Sequence, residues 1–343
     1  FILSPDEMPG QLISYIQHPY ATRQQSHEPV IENEKGITRV FSLLRSRTKV
    51  DFTYYKPSTI NRRIERRISV TQVENLDAYV NYLETNPVEV TSLYKELLIG
   101  VTSFFRDTKV MKQLEEEIMP EIIEKSPNRE LRFWIAGCST GEEAYTLAIL
   151  AREVMERLKI SQDIKIFATD IDRDAIVKAG SGIYAESIAA DIDPKILGKY
   201  FYKKGENYQI ARNIREMVVF APHNLVKDPP FTRIDFVSCR NLLIYLQTNL
   251  QQKALDMFNF SLQPGGVLLL GTSESVGEME SFFEPIDRNL KIYRSKGKAH
   301  MGKLVESSIT MNTINYRVPT VPQTHRTMTL MGTRSQSYMI DRL

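Results

Sequence analysis

The sequence predicts an α/β fold preceded by an all-α domain, on three observations. From Gly36 to about Glu117, apolar residues recur at helical spacing. After Pro127, short β-branched or apolar runs alternate with helical patterns. The first of these runs ends in a small, hydroxyl-rich turn, AGCSTGEE, that leads directly into a helix. Such alternation implies a parallel sheet with helices on both faces and a ligand crevice beyond the carboxyl ends of the strands.

In the N-terminal part, Val40, Leu43 and Leu44, then Leu76, Tyr79, Val80 and Leu83, then Leu93, Leu97 and Leu98 mark the apolar faces of successive helices. Strands are expected at 131–136, 164–169, 217–221, 234–238 and 267–271, with helices at 145–157, 174–179 and 248–262. Residues 282–285 and 290–294 read as a closing hairpin at the sheet edge. The polar, aromatic stretch 200–219 turns at Gly205 and reads as a small antiparallel insertion. The expected organisation is a proline-bearing linker over 1–35 with a short helix near 11–17, a helical domain over 36–117, an α/β domain over 118–295, and a flexible tail over 296–343.

Composition narrows the class. The 343 residues suffice for two domains, and a net charge of +2 gives no global field that points to nucleic acid. No apolar run approaches the ~18 residues of a membrane helix, so membrane insertion is not expected. The chain opens on Phe1 without a secretion signal and reads as a piece of a longer protein. Cys138 and Cys239 are too few for a disulfide framework or a thiolate metal site, and the five histidines lack metal-ligand spacing. No metal is expected, and a reducing cytoplasm is the simplest setting.

The turn after the first strand has two readings. Gly137 lets a ligand approach the backbone, and the following helix offers unpaired N–H groups. Ser139 stands where a dinucleotide loop needs its second glycine, and Glu142 and Glu143 oppose a phosphate. The plainer reading is a capping box formed by Thr140 and Glu143. The second strand shifts the balance, because it ends in Asp170 and Asp172. Asp170 is positioned to accept both hydroxyls of a ribose, and Asp172 to cap the next helix. A glycine turn without phosphate chemistry, followed by a ribose acid, suggests a nucleoside with an amino-acid tail, as in S-adenosylmethionine. The ammonium of that tail would meet Glu143.

Seven segments then occur in one order: STINRRIERRI (58–68), TSFFRD (102–107), RFWIAGCSTGEEAYTLA (132–148), FATDIDRDAI (167–176), NLV (224–226), IDFVSCRNLLIYL (234–246) and PGGVLLLGTSES (264–275). Together they resemble the chemotaxis receptor methyltransferase family, CheR, over roughly residues 36–295. LSPDEMPGQL (3–12) resembles the joining segment of fused methylesterase–methyltransferase proteins. The resemblance implies a helical N-terminal domain and a Rossmann-like class I S-adenosylmethionine-dependent methyltransferase domain carrying a small antiparallel β-subdomain. It implies methyl transfer from S-adenosylmethionine to receptor glutamates, with S-adenosylhomocysteine as product. It also implies that Thr102 and Arg106 reach the cofactor from the domain junction, and that Ala136 and Gly137 line it at the first strand. Asn224 and Leu225 would flank the adenine, Arg240 and Asn241 would close the pocket, and Arg106 and Tyr245 would lie nearest the methyl group. One departure from the family pattern is Gly100, where members often carry Asn.

The basic segment reads either as an ordinary solvated face or, given the receptor substrate that the resemblance implies, as a docking face. Arg62, Arg63, Arg66 and Arg67 fall on one side of a helix, with Ile60, Ile64 and Ile68 on another. An acidic helical segment of a receptor's cytoplasmic region is the expected partner. The patch lacks the interleaved aromatics that suit single-stranded nucleic acid. The insertion's turn, KKGENYQ, lacks the glycine-rich loop of peptide-gripping members, so a peptide-independent enzyme is expected, and separately a monomer. DPPF (228–231) resembles a motif of amino-group methyltransferases but precedes the fourth strand instead of following it, and reads as a loop. The competing readings are a methyltransferase for another substrate and a cofactor-binding module without transfer activity.

Overall fold

The computed structural model describes residues 8–10 and 34–297. Most of the expected linker, its short helix at 11–17 and nearly all of the expected tail lie outside the described residues. Four helices come first: α1 (Glu34–Thr48), α2 (Pro57–Thr71), α3 (Leu76–Thr85) and α4 (Pro87–Leu97). Their apolar faces enclose one core around Val40, Leu44, Ile60, Ile64, Ile68, Tyr79, Val80 and Leu93. Pro57 and Pro87 begin two of these helices, where a missing N–H costs nothing. Asn75 and Asn86 cap α3 and α4 through their side chains.

Next come α5 (Thr108–Gln113), a π-helical turn (Leu114–Ile118) and α6 (Met119–Glu124). Val110, Leu114, Ile118 and Ile123 join the core of the sheet and not that of the first four helices. The expected boundary at 117 therefore falls inside a helical run that packs on the sheet. Helical periodicity shows that such a run exists but not which core it joins.

The sheet strands are β1 (Leu131–Ala136), β2 (Ile164–Asp170), β6 (Val218–Pro222), β7 (Ile234–Cys239), β8 (Leu262–Leu270), β9 (Phe283–Asp287) and β10 (Ile292–Ser295), in the order β6-β2-β1-β7-β8-β10-β9. Pairing is parallel from β6 to β8, and β10 runs antiparallel between β8 and β9. The sheet is thus mixed at one end, as the expected closing hairpin requires. Alternate residues serve opposite layers: Phe133 and Ile135 join one core, Trp134 and Ala136 the other. Helices α7 (Glu142–Leu158) and α8 (Arg173–Ser181) contribute to the first layer, and α11 (Thr248–Ser261) to the second. The chain steps outward from β1 to β2 to β6, then returns to β7 on the far side of β1. That reversal opens a crevice at the strand ends.

The insertion is larger than expected. Besides the hairpin β4 (Phe201–Lys204) and β5 (Asn207–Ile210), its sheet includes β3 (Ile183–Ala185), in the order β3-β5-β4, with α9 (Pro194–Tyr200) packed on β4 and α10 (Arg212–Arg215) packed on α7. A three-residue strand leaves no readable period, and its pairing with β5 is a long-range contact. Residues 218 and 219 belong instead to the edge strand of the main sheet. Among the described residues, no helix is long and apolar enough to cross a membrane.

The capping box does not form. Gly141, at φ +95°, is the residue before α7, and no side chain caps that helix. The Thr140 hydroxyl donates to the Glu142 carboxylate instead (2.7 Å). Gly141 is required for packing as well as for its dihedral, since an added Cβ would lie 2.8 Å from Ala179 Cβ and 3.1 Å from the Phe220 ring. Gly141→Ala is expected to lower stability by about 1–3 kcal/mol in urea unfolding, whereas Gly180→Ala, with open space around it, changes it by less than ~1 kcal/mol. Equal effects would show that the backbone at 141 relaxes freely.

Candidate functional site

Two adjoining cavities form one cleft at the reversal point. The more apolar one is lined by Ala136, Gly137, Asp170, Asn224, Leu225 and Leu242, among others. The other is lined by Thr102, Arg106, Glu143, Arg240, Asn241 and Tyr245, and shares Gly137, Asp170, Leu242 and Tyr55 with the first. Every residue expected to touch cofactor or methyl group lines this cleft.

The turn after β1 is shaped by contacts to its neighbours. Gly137 has φ +78°, and an added Cβ would lie 3.0 Å from Leu242. The N–H groups of Gly137 and Cys138 both donate to the Thr169 carbonyl at the end of β2 (2.8 and 2.9 Å). Ser139, left-handed at φ +48°, donates its N–H to one Asp170 oxygen (2.8 Å), and Asp172 donates to the other (2.9 Å). Burial pushes the Asp170 carboxyl above the ordinary aspartate range, opposed by these N–H donors. Each oxygen keeps acceptor capacity. Asp172 caps α8 by accepting from Asp174 and Ala175, as expected.

Glu143 faces the end of β7. Its carboxylate accepts from the Ser238 hydroxyl (2.5 Å) and from Arg240 (2.9 Å). Arg240, with a side chain only 2% exposed, also donates to Asp107 (2.5 Å) and to the Arg106 carbonyl (3.3 Å). Its Nε is buried without a protein acceptor. Arg106 donates to the Val101 carbonyl (3.2 Å), and Phe105 and Asp107 on either side of it have φ of +50° and +61°. Gly100 lies beside this loop, and its carbonyl accepts the Ser139 hydroxyl (3.3 Å).

Three contributors escaped the sequence reading. Glu274, buried beyond β8, accepts N–H groups from Gly271 (2.6 Å), Asn241 (3.1 Å) and Ile244 (3.3 Å), so it shapes the segment that carries Tyr245. Burial pushes its carboxyl up against those donors. Tyr55 reaches the cleft from the segment before α2, where Tyr55 bridges Leu246 and the Lys56 N–H donates to the Tyr245 carbonyl (2.9 Å). Burial, with Asp170 nearby, raises its phenol. The third is Asp107. Glu274 could have been suspected as a lone acid after an apolar strand; nothing local marks Tyr55.

The DPPF segment is a loop, as expected, with a definite task. Asp228 accepts the Asn224 N–H (2.7 Å), fixing the turn that carries Asn224 and Leu225. Phe231 stacks on Phe167 and packs edge-on to Trp134. Cys138 and Cys239 are buried free thiols, and burial raises both well above the ordinary range, which makes them poor nucleophiles. Among the described residues, no group of three or more His, Cys, Asp or Glu could hold a metal ion.

The four arginines of α2 do not form one free face. Arg67 is 17% exposed and makes a two-pronged pair with Glu89 (2.8 and 2.7 Å), which also accepts from the Tyr79 hydroxyl. Arg63 is half-buried. Only Arg62 and Arg66 are exposed, with Arg66 at 59% and loosely paired to Glu96 (3.2 Å). The expectation of four docking arginines is therefore corrected: α4 lies against this helix and takes Arg67 into the interior.

Comparison with known proteins gives matches over both parts of the chain. Residues 100–292 match the family described as CheR methyltransferase, SAM binding domain, and residues 35–98 match CheR methyltransferase, all-alpha domain. The chain is 32% identical over 288 residues to chemotaxis protein methyltransferase 2 of Vibrio cholerae serotype O1, covering 81% of this chain and 98% of that one. It is 30% identical over 248 residues to the chemotaxis protein methyltransferase of Borreliella burgdorferi, covering 70% and 88%. It is 41% identical over 266 residues to the "Uncharacterized 104.1 kDa protein in hypE 3'region" of Rhodobacter capsulatus; that match covers 77% of this chain but only 28% of the larger protein.

Proposed function

Because this chain belongs to the CheR methyltransferase family, whose cofactor is S-adenosylmethionine, we propose that it methylates glutamate carboxylates on the helical cytoplasmic region of chemoreceptors, forming γ-glutamyl methyl esters. The observation that carries this reading is the convergence of Arg106, Glu143, Asp170, Asn241 and Tyr245 on one cleft at the strand reversal. The residues suit the cofactor. Asp170 has acceptor capacity for two ribose hydroxyls, and the orphaned Arg240 Nε is a donor for a carboxylate. Glu143, held by Ser238 and Arg240, has lone pairs left for an ammonium group. Asn224 and Leu225 flank the apolar part that suits an adenine, with Ala136 and Gly137 below them and Thr102 and Asn241 closing the tail end.

When bound, S-adenosylmethionine supplies a methyl group on a positively charged sulfonium. No residue of the chain has to act as general base, because a glutamate carboxylate, with pKa ~4.3, is already ionised at neutral pH. The work of Arg106 and Tyr245 is alignment: the guanidinium holds the incoming carboxylate and the phenol orients it. Alignment of this kind is worth up to ~7–11 kcal/mol. The cleft walls also exclude water as the two charges neutralise each other. Arg62 and Arg66 steer the acidic receptor helix towards the opening.

The decisive experiment supplies labelled cofactor and receptor cytoplasmic fragments and scores incorporated methyl for alkali lability. An ester releases methanol in alkali; an alkali-stable methyl would overturn the reading. In calorimetry, Asp170→Ala weakens cofactor binding by about 1.5–3 kcal/mol, the value of a hydrogen bond to a charged group. Unchanged affinity removes the ribose role. Arg67→Gln lowers stability by about 2 kcal/mol or more, whereas Arg62→Glu with Arg66→Glu leaves stability within ~1 kcal/mol and slows receptor methylation, less so at high salt. If the double charge reversal leaves turnover untouched, the docking role fails.

A further inference from the structure

Asp107 occupies the position before α5, where an aspartate ordinarily turns its carboxylate onto the first N–H groups of the helix. Here the side chain makes no such bond. It pairs instead with Arg240 at 2.5 Å. The same arginine bonds Glu143 on the opposite side and the carbonyl of Arg106 between them.

Arg106 is bracketed by Phe105 at φ +50° and Asp107 at φ +61°, conformations that non-glycine residues adopt only when surrounding contacts hold them. Those contacts come from the buried body of α7 and from Arg240, which lines the cleft. The Phe105 N–H donates to the Thr146 hydroxyl of α7 (3.1 Å), and Arg240 holds the other side. The backbone of Arg106 is therefore pinned from outside its own loop, by buried Thr146 on one side and by Arg240 of the cleft on the other. We infer that Asp107 is a positioning residue for methyl transfer: its pair with Arg240 sets Arg106 at the acceptor carboxylate and links that placement to Glu143. The inference rests on the roles of Arg106 and Glu143 proposed above.

Two substitutions remove the carboxylate while sparing the backbone. Asn tolerates the left-handed conformation, and Gly adopts it without steric cost. In Asp107→Asn and Asp107→Gly, kcat on receptor fragments is expected to fall at least tenfold, with the cofactor Kd from calorimetry within threefold of the parent. Combining Asp107→Asn with Arg106→Ala should lower kcat less than twofold beyond Arg106→Ala alone, because Asp107 acts through Arg106. A purely structural role gives losses that multiply in the double variant. The inference is overturned by unchanged kcat in both single variants, by multiplying losses, or by a Kd loss as large as the kcat loss. Absence of alkali-labile transfer in the parent protein would sink the underlying reading instead, and the two failures are told apart by whether the parent is active.

Discussion

A guanidinium removed from water must be met by anions and acceptors, and Arg240 is where this molecule meets that constraint. Its side chain is enclosed at the end of β7, between the Glu143 carboxylate on α7 and the Asp107 carboxylate before α5. Three segments far apart in sequence are fastened by one side chain. Glu143 is the enclosed partner and Asp107 the more exposed one, so the pair with Glu143 contributes more to holding the strand end, helix start and Arg106 loop together. The cleft exists because these three meet there.

The same logic recurs around the cleft in the form of answered backbone strain. Phe105, Asp107, Ser139 and Asn241 all take positive φ, each costing about 1–3 kcal/mol for an ordinary side chain. Each is met by a side chain from another element. Thr146 accepts from Phe105, Arg240 binds Asp107, Asp170 accepts from Ser139, and Glu274 accepts from Asn241. Asp170 and Glu274 thus shape the walls of the cleft as well as contributing acceptors to it. A carboxylate that already holds two backbone N–H groups is fixed in direction, which suits a group meant to meet a small ligand at a set angle.

Charged residues of the same types do quite different work elsewhere. At the amino end of β7, Asp235 takes both prongs of Arg129 together with the Arg132 N–H and Gln263, at the opposite end of the parallel strands from the cleft. In the helical region, Glu89 is closed in by Arg67 and the Tyr79 hydroxyl, and burial raises that phenol first, the hydrogen bond to Glu89 second. Both clusters join elements of the fold to one another. Arg240 and Glu143, of the same composition and charge, line the cleft.

The alternation of strand and helix, the reversal crevice and most of the cleft lining were legible in the sequence. Each rests on a local period or on a turn at a strand end, as with Gly137, Asp170 and the Asp172 cap. Ordered motifs added Arg106, Arg240 and Tyr245. Tertiary structure alone decided the partners. Thr140 and Glu143 have capping-box spacing, yet Gly141 at φ +95° turns the backbone so that Glu143 faces Ser238 and Arg240 instead. Arg67 has the same helical spacing as its exposed neighbours, but only the arrival of α4 buries it. β3 and Tyr55 carry no period at all and matter only through pairings across the fold. A sequence records which face a side chain leaves its own element on; what waits on that face is set by other elements that only folding brings there.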